Sequence, residues 1–141
     1  FREVVVTGIQ EFHRDVPEAR AGHNVGLLLR GVGRGEVSRG DVVATPGSIQ
    51  PHRAGEAEVY VLSSEEGGRK RGFSPGYPPQ FYFGAADVPA TLTFDKAQIE
   101  PGAGATVRFE LLRSLAFESG MRFSIREGGK TVGAGVVTAV T

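Results

Sequence analysis

The sequence predicts an all-β fold, and three observations lead to this prediction. Runs of alternating or β-branched residues recur at short intervals along the chain. Many of the 21 glycines fall between these runs, as turns do in all-β proteins, and glycine occurs at about twice its average share of ~7%. Helix signals are weak, the best being residues 34–39, which would form a turn or two before Gly40. Short strands with glycine-rich turns favour a β-barrel or a β-sandwich.

Nine segments have the composition of β-strands. In residues 56–62 the glutamates and Tyr60 share one face and two valines the other, which is the two-residue period of a half-buried strand. In residues 121–126, Met, Phe and Ile alternate with Arg, Ser and Arg in the same manner. Residues 127–130 read Glu-Gly-Gly-Lys, which predicts a tight hairpin turn with positive φ between the last two strands. The candidate strands are residues 3–9, 25–30, 41–44, 57–62, 80–83, 90–94, 106–112, 121–126 and 131–140.

A boundary between two units is predicted near residues 45–52, where two prolines and a glycine occur within eight residues. We therefore expect a first unit at residues 1–47, a linker at residues 48–52 and a second unit at residues 51–141. The first unit has two or three candidate strands, too few to close a barrel or to be stable alone, whereas the second has about six.

Charge and composition exclude several classes of protein. The 16 basic residues balance the 16 acidic residues, so any RNA contact must come from a local patch. Without cysteine the chain has no disulfide and no thiolate metal site. No apolar run reaches the ~18 residues that span a bilayer, and the N-terminal residues do not read as a secretory signal. We expect a cytoplasmic protein with no membrane partner, an organellar matrix being the alternative compartment.

Two short motifs resemble catalytic or phosphate-binding signatures but fail in their surroundings. Residues 128–131 read Gly-Gly-Lys-Thr, like the end of a phosphate-binding loop, but Ser124 stands where that loop begins with glycine, and a β-branched run follows instead of a helix. Residues 72–76 read Gly-Phe-Ser-Pro-Gly, like a hydrolase nucleophile elbow, but Pro75 lacks the N–H that would bind the oxyanion. We therefore predict no catalytic residue in this chain and no GTP binding by it.

Other candidate ligand sites are weak as well. Residues 31–35 contain three glycines, but their spacing is not that of a dinucleotide-binding turn. His13, His23 and His52 lack the spacing of metal ligands, so no metal site is predicted.

The strongest local candidate for RNA binding is the basic run at residues 69–71. Arginine and lysine neutralise phosphate, and the aromatic residues that follow could stack on bases. The alternative is a solvated loop followed by a buried aromatic strand. Composition favours this alternative for the aromatic residues and leaves the role of the cations open. These aromatic residues are Phe73, Tyr77, Phe81, Tyr82 and Phe83.

Two segments resemble the C-terminal β-barrel of elongation factor Tu, the bacterial and organellar translation GTPase that carries aminoacyl-tRNA to the ribosome. Residues 64–84 read SEEGGRKRGFSPGYPPQFYFG, and residues 126–138 read REGGKTVGAGVVT. In addition, residues 20–31, RAGHNVGLLLRG, resemble part of the family's second domain, and residues 46–52 resemble its interdomain connector. The resemblance covers nearly the whole chain.

The resemblance implies a more specific architecture. The second unit would be an antiparallel β-barrel, the third domain of the family, preceded by an incomplete second barrel that is the C-terminal half of domain 2. The GTPase domain has no counterpart in this sequence. We therefore expect no enzyme activity and no cofactor in this chain, since GTP and Mg²⁺ would belong to that domain of the parent GTPase.

The resemblance also implies two sets of tRNA-binding residues. In the family the second domain holds the aminoacylated 3′ end, and the corresponding positions here are Gln10, His13 and Asn24. Gln10 stands where glutamate is usual and His13 where arginine is usual, which would alter charge-assisted contacts. The third domain grips the T-stem, and the matching positions are Arg69, Gln80, Glu127, Gly128 and Lys130.

Four departures from the family pattern weaken the implied T-stem site. Pro78 and Gly84 replace arginines, and Ala85 and Pro89 replace threonines. Each loss removes a group that could donate a hydrogen bond to phosphate, worth about 1 kcal/mol.

Two functions are consistent with these observations. The first is the C-terminal tRNA-binding and domain-docking part of an elongation factor Tu, or of a divergent paralogue, in GTP-dependent delivery of aminoacyl-tRNA. Its partners would be aminoacyl-tRNA, the GTPase domain, the nucleotide-exchange factor Ts and, through the parent protein, the ribosome. The alternative is a protein-interaction module that has lost most tRNA binding.

Overall fold

The computed structural model describes residues 2–141, which form strands joined by turns and loops. Residue contacts divide the chain into two compact units, the first ending at Ser38 and the second comprising Arg39–Thr141. Among residues 2–141 no helix is long and apolar enough to cross a membrane. The strands are β1 (Val5–Glu11), β2 (Arg14–Val16), β3 (Gly26–Arg30), β4 (Pro51–Val61), β5 (Gln80–Phe83), β6 (Ala86–Thr93), β7 (Gly104–Ala116), β8 (Arg122–Glu127) and β9 (Lys130–Val140).

The first unit contains an antiparallel sheet in the order β2-β1-β3. The turn between β1 and β2 consists of Phe12 and His13, which both have positive φ, at 50° and 63°. Residues other than glycine rarely adopt this conformation. No side chain of residues 2–38 is fully buried, and Phe12 is 88% exposed. Three strands thus form a sheet without a core, as expected for an incomplete barrel.

The second unit is a closed antiparallel barrel in the order β4-β7-β6-β5-β8-β9. The predicted all-β class and the antiparallel barrel of about six strands are confirmed. The alternation predicted for residues 56–62 holds along β4, where Ala57, Val59 and Val61 are buried and the residues between them are exposed. The same holds in β8, where Phe123 and Ile125 point inward.

Phenylalanine rings fill the barrel interior. Phe81 stacks on Phe123 with ring centroids 4.3 Å apart, and Phe83 stacks on Phe117 at 5.3 Å. Phe109 lies within 6.0 Å of Phe81, Phe117 and Phe123. Such pairs contribute beyond their buried area, by about 0.5–1.5 kcal/mol each. The barrel therefore provides a rigid support for the side chains on its outer surface.

The structure corrects several details of the sequence reading. Residues 41–44, predicted as a strand, and residues 34–39, read as the best helix signal, belong to no regular element. A short β-branched run becomes a strand only when a neighbouring strand pairs with it, and residues 41–44 belong to neither sheet. Strand β2 was not predicted. Strand β4 begins at Pro51, so the last two residues of the expected linker pair with β7.

Candidate functional site

The β8–β9 hairpin positions two of the residues selected from the sequence. Its turn consists of Gly128 and Gly129, with φ of 57° and 81°, and two successive positive φ values are what a type I′ turn requires. The predicted hairpin is therefore confirmed. Glu127 ends β8 and pairs with Lys130, which begins β9. The turn thus places Glu127 and Lys130 opposite each other at the end of the hairpin.

The loop between β4 and β5 meets the β8–β9 hairpin around Glu127. Its Oε2 accepts a hydrogen bond from the Tyr77 hydroxyl at 2.6 Å and faces Nε of Arg69 at 3.3 Å. The Arg69 guanidinium lies over the Tyr77 ring, with Cζ 4.6 Å from its centroid. Lys130 Nζ donates to the carbonyl oxygen of Gly68 at 3.2 Å. We call Arg69, Tyr77, Glu127 and Lys130 the hairpin cluster.

The environment of the hairpin cluster keeps Tyr77 neutral. Burial, and after it the hydrogen bond to Glu127, raises the pKa of Tyr77 to about 12. The phenol is therefore a hydrogen-bond donor at any physiological pH. The Arg69 side chain is 25% exposed, and its Nη1 is shielded from solvent without an acceptor among residues 2–141. Such a nitrogen is costly to leave unpaired, by about 1–3 kcal/mol.

A second group of polar side chains lies on the outer surface of β5 and β8. Gln80 and Arg126 are directly opposite each other across the two strands. The Arg126 guanidinium lies over the Tyr82 ring, with Cζ 5.0 Å from its centroid. Gln80 Oε1 and Arg126 Nε are shielded from solvent and have no hydrogen-bond partner in the described part of the chain. We call Gln80, Tyr82 and Arg126 the β5–β8 face.

Of these residues, Gln80 is a site residue predicted from the sequence and Tyr82 is one of the candidate aromatic residues, whereas Arg126 is not predicted. The alternation of Arg122, Ser124 and Arg126 with apolar residues already indicated that these side chains point outward. Arg126 directly precedes Glu127 in β8, so consecutive residues of one strand link the β5–β8 face to the hairpin cluster.

The aromatic residues after the basic run divide into two groups. Phe73, Phe81 and Phe83 are buried in the barrel, as the structural alternative predicted. Tyr77 and Tyr82 are half-buried, and each carries an arginine over its ring. Only the tyrosines are therefore accessible to a ligand on the barrel surface.

The four family departures all lie on the surface. Pro78, Gly84, Ala85 and Pro89 are exposed, and Pro89 lies opposite Gln80 on the neighbouring strand β6. Gly84 and Ala85 form the turn between β5 and β6. A cation that is not among the predicted site residues lies near this hairpin. Arg113 is exposed and donates from Nη2 to the carbonyl oxygen of Asp87 at 3.0 Å.

The three residues assigned to an aminoacyl-end pocket are less closely associated. Gln10 Nε2 donates to Asp15 Oδ1 at 3.1 Å, across β1 and β2. The backbone of Gln10 pairs with Gly26, two residues after Asn24. His13 lies in the exposed β1–β2 turn. No hydrogen bond within residues 2–141 joins the side chains of Gln10, His13 and Asn24, so the sheet alone brings them to one region.

The two short motifs form a hairpin and a turn, as predicted. Residues 128–131 form the hairpin turn and the start of β9. Ser74 is exposed in the loop between the bridge residue Phe73 and Tyr77, whose amide donates to the Ser74 carbonyl at 3.0 Å. Within residues 2–141 no three His, Cys, Asp or Glu side chains are grouped to hold a metal ion.

Comparison with known protein families gives two matches along the chain. Residues 48–141 match the model of the elongation factor Tu C-terminal domain. Residues 1–44 match the model of elongation factor Tu domain 2. The first match covers the whole barrel, including the hairpin cluster and the β5–β8 face. The second covers the three-stranded sheet.

Proposed function

Because the chain belongs to the elongation factor Tu family, we propose that its barrel binds aminoacyl-tRNA through the hairpin cluster and the β5–β8 face. The chain contains the C-terminal portion of a translation elongation factor. In this proposal it supplies a tRNA-binding surface and a docking surface for the GTPase domain. Nucleotide hydrolysis lies with that domain, and no residue of this chain takes part in a chemical step.

The observation that carries the proposal is the set of unpaired polar atoms in the hairpin cluster and the β5–β8 face. Arg69 Nη1, Arg126 Nε and Gln80 Oε1 have no hydrogen-bond partner among the described residues, although all three are shielded from water. Guanidinium nitrogens are the donors that bind phosphate best, and an amide oxygen accepts from a ribose hydroxyl or a base. A small shift of these half-buried side chains would bring the three atoms to the surface, where an RNA backbone supplies acceptors and donors that could pair with them.

Electrostatics also favours this surface. Arg69, Arg126 and Lys130 lie within two adjoining groups, against a single carboxylate, Glu127. In a chain with no net charge, such a local excess of cations is the footprint expected for phosphate. Tyr77 and Tyr82 hold the two guanidinium groups in place by cation–π contact, so little entropy is lost on binding.

The proposal is tested by measuring RNA affinity of two matched variants over a range of salt concentrations. Arg126→Ala should weaken binding of aminoacyl-tRNA about fivefold and reduce the salt slope by about one. Arg122→Ala, on the same strand but exposed and outside the β5–β8 face, should have a smaller effect. Absence of RNA binding, binding that does not depend on salt, or equal loss in both variants would contradict the proposal.

A protein-docking function is the second candidate, and the four exposed departures favour it. Pro78, Gly84, Ala85 and Pro89 carry no charge and no hydroxyl group, which suits a protein contact better than phosphate. This version predicts that the chain binds the family's GTPase domain or the exchange factor Ts in the absence of tRNA. A chain that binds these proteins but no tRNA would favour it over the first candidate.

A further inference from the structure

We propose that Tyr77 is a positioning residue, which keeps the Glu127 carboxylate from capturing the Arg69 guanidinium and so leaves Arg69 available for phosphate. This inference rests on the proposed function, because it assigns Arg69 to RNA binding. It adds a residue from the loop before β5 that does not itself need to touch the RNA.

The geometry of Arg69 and Glu127 is unusual for an arginine–carboxylate pair. Such pairs commonly form two parallel N–H···O bonds. Here the closest approach is between Nε of Arg69 and Oε2 of Glu127, at 3.3 Å, and Nη1 has no partner in residues 2–141. The same oxygen, Oε2, accepts the shorter hydrogen bond from Tyr77, at 2.6 Å. The phenol therefore competes with the guanidinium for Glu127.

Tyr77 also holds the Arg69 guanidinium in place through the face of its ring. Cζ of Arg69 lies 4.6 Å from the centroid of the Tyr77 ring. That ring stacks on Phe73 at 4.6 Å with an interplanar angle of 27°, and Phe73 is completely buried. The ring is thus anchored in the barrel interior while its hydroxyl reaches the surface. One side chain controls the position of both members of the ion pair.

The hydroxyl is a donor throughout the pH range in which RNA is stable. Burial and the Glu127 hydrogen bond raise the pKa of Tyr77 to about 12. The nearby titratable groups are Arg69, Glu127 and Lys130, and of these only the carboxylate accepts a hydrogen bond. The direction of the Tyr77–Glu127 bond is therefore fixed.

The test removes the hydroxyl and keeps the ring. In Tyr77→Phe, Glu127 is free to form a two-bond pair with Arg69, so the affinity for aminoacyl-tRNA should fall about threefold to tenfold. The slope of the logarithm of affinity against the logarithm of salt concentration should shrink by about one, because one phosphate contact is lost. In a Glu127→Gln background there is no carboxylate to capture Arg69, and Tyr77→Phe should change neither quantity.

Tyr60→Phe is the matched control. Tyr60 donates to Glu66 at 2.5 Å, so it makes the same type of bond elsewhere on the barrel without contacting the hairpin cluster. Its loss should leave RNA affinity and salt slope unchanged. A Tyr77→Phe protein that behaves like Tyr60→Phe would overturn the inference. So would an equal loss of affinity in the Glu127→Gln background, since the hydroxyl would then act through the fold.

A wild-type chain that binds no RNA would refute the proposed function, and the inference with it. If only the inference is wrong, the wild-type chain binds RNA, and Tyr77→Phe binds it with the same affinity and the same salt slope. Titration of phenolate absorbance gives a readout independent of RNA. The phenol of Tyr77 should titrate at lower pH in Glu127→Gln than in the wild type, and an unchanged titration would show that the hydrogen bond is not formed in solution.

Discussion

Gly68 packs directly against the backbone of Leu62. A Cβ atom at Gly68 would lie 2.2 Å from the carbonyl oxygen of Leu62, a distance that real atoms do not reach. The amide of Gly68 donates to the Ser63 carbonyl at 2.8 Å, and its carbonyl accepts from Lys130. The loop therefore closes on itself at Gly68, and the next residue, Arg69, enters the hairpin cluster from a fixed position.

Gly68→Ala should destabilise the barrel and displace Arg69. Because the obstructing atom belongs to the backbone, the loop itself must shift, and we expect a loss of about 1–3 kcal/mol in the free energy of unfolding. Urea denaturation measures this loss. Ser64→Ala, in the same loop but exposed, should have an unfolding free energy within about 0.5 kcal/mol of the wild type. Equal stability of the two variants would contradict the close packing at Gly68.

Phe81→Ala should remove a central part of the barrel core. Phe81 is completely buried and contacts the rings of Phe83, Phe109 and Phe123. Truncation leaves a cavity among these rings, so we expect a loss of about 3–5 kcal/mol in the free energy of unfolding, measured by thermal or chemical denaturation.

Leu112→Ala is the control for the core substitution. Leu112 lies on β7 but is 70% exposed, so its truncation should change the free energy of unfolding by less than about 0.5 kcal/mol. If both substitutions cost the same, the inward and outward faces of the barrel would be assigned wrongly.

Local patterns were sufficient to predict an all-β fold, either a barrel or a sandwich, but not the details of the first unit. The alternation around Tyr60 and the paired glycines at Gly128 and Gly129 act between near neighbours, and the structure retains both. Strand β2 has only three residues, Arg-Asp-Val, and its turn uses Phe12 and His13 where glycine would be expected. No periodicity or turn signal marks it, because sheet pairing overrides the local preference there.

The site was predictable only in part for a similar reason. Resemblance selected Arg69, Glu127 and Lys130 one by one, but their association depends on contacts between distant parts of the chain. Tyr77 and Glu127, for example, are separated by 50 residues in sequence. Folding of the barrel brings these two residues into contact, and neither the composition nor the spacing of residues in the sequence indicates that they are neighbours. Arg126 was overlooked because an outward arginine on a strand is ordinarily only solvated.

The stability of the chain should fall at alkaline pH through Tyr77. Folding raises the pKa of this phenol from 10.0 to about 12, so the folded state favours the protonated form. The resulting stabilisation is fully present below pH 10 and is lost as the pH rises toward 12. The free energy of unfolding should therefore decrease over this interval more steeply in the wild type than in Tyr77→Phe.

Chemical denaturation at a series of pH values measures this difference. Every other ionisable group is common to both proteins, so its contribution cancels in the comparison. Parallel curves for wild type and Tyr77→Phe would mean that Tyr77 has the same pKa in the folded and unfolded states.

The two units should differ in hydrogen exchange. All completely buried apolar side chains of the described chain lie at Ala57 or beyond, and the barrel has no free sheet edge, since each of its strands pairs on both sides. In the first unit, β2 and β3 each pair on one side only, and Val5, Val6 and Leu28 are 43–49% exposed. Backbone hydrogen bonds without a covering core open easily. We therefore expect the amides of β1 and β3 to exchange about tenfold faster or more than those of β4, β7 and β8, as measured by mass spectrometry or NMR in dilute solution. Equal protection in the two units would contradict this expectation. It would mean that the valine and leucine side chains of the three-stranded sheet are covered in solution by something other than these three strands.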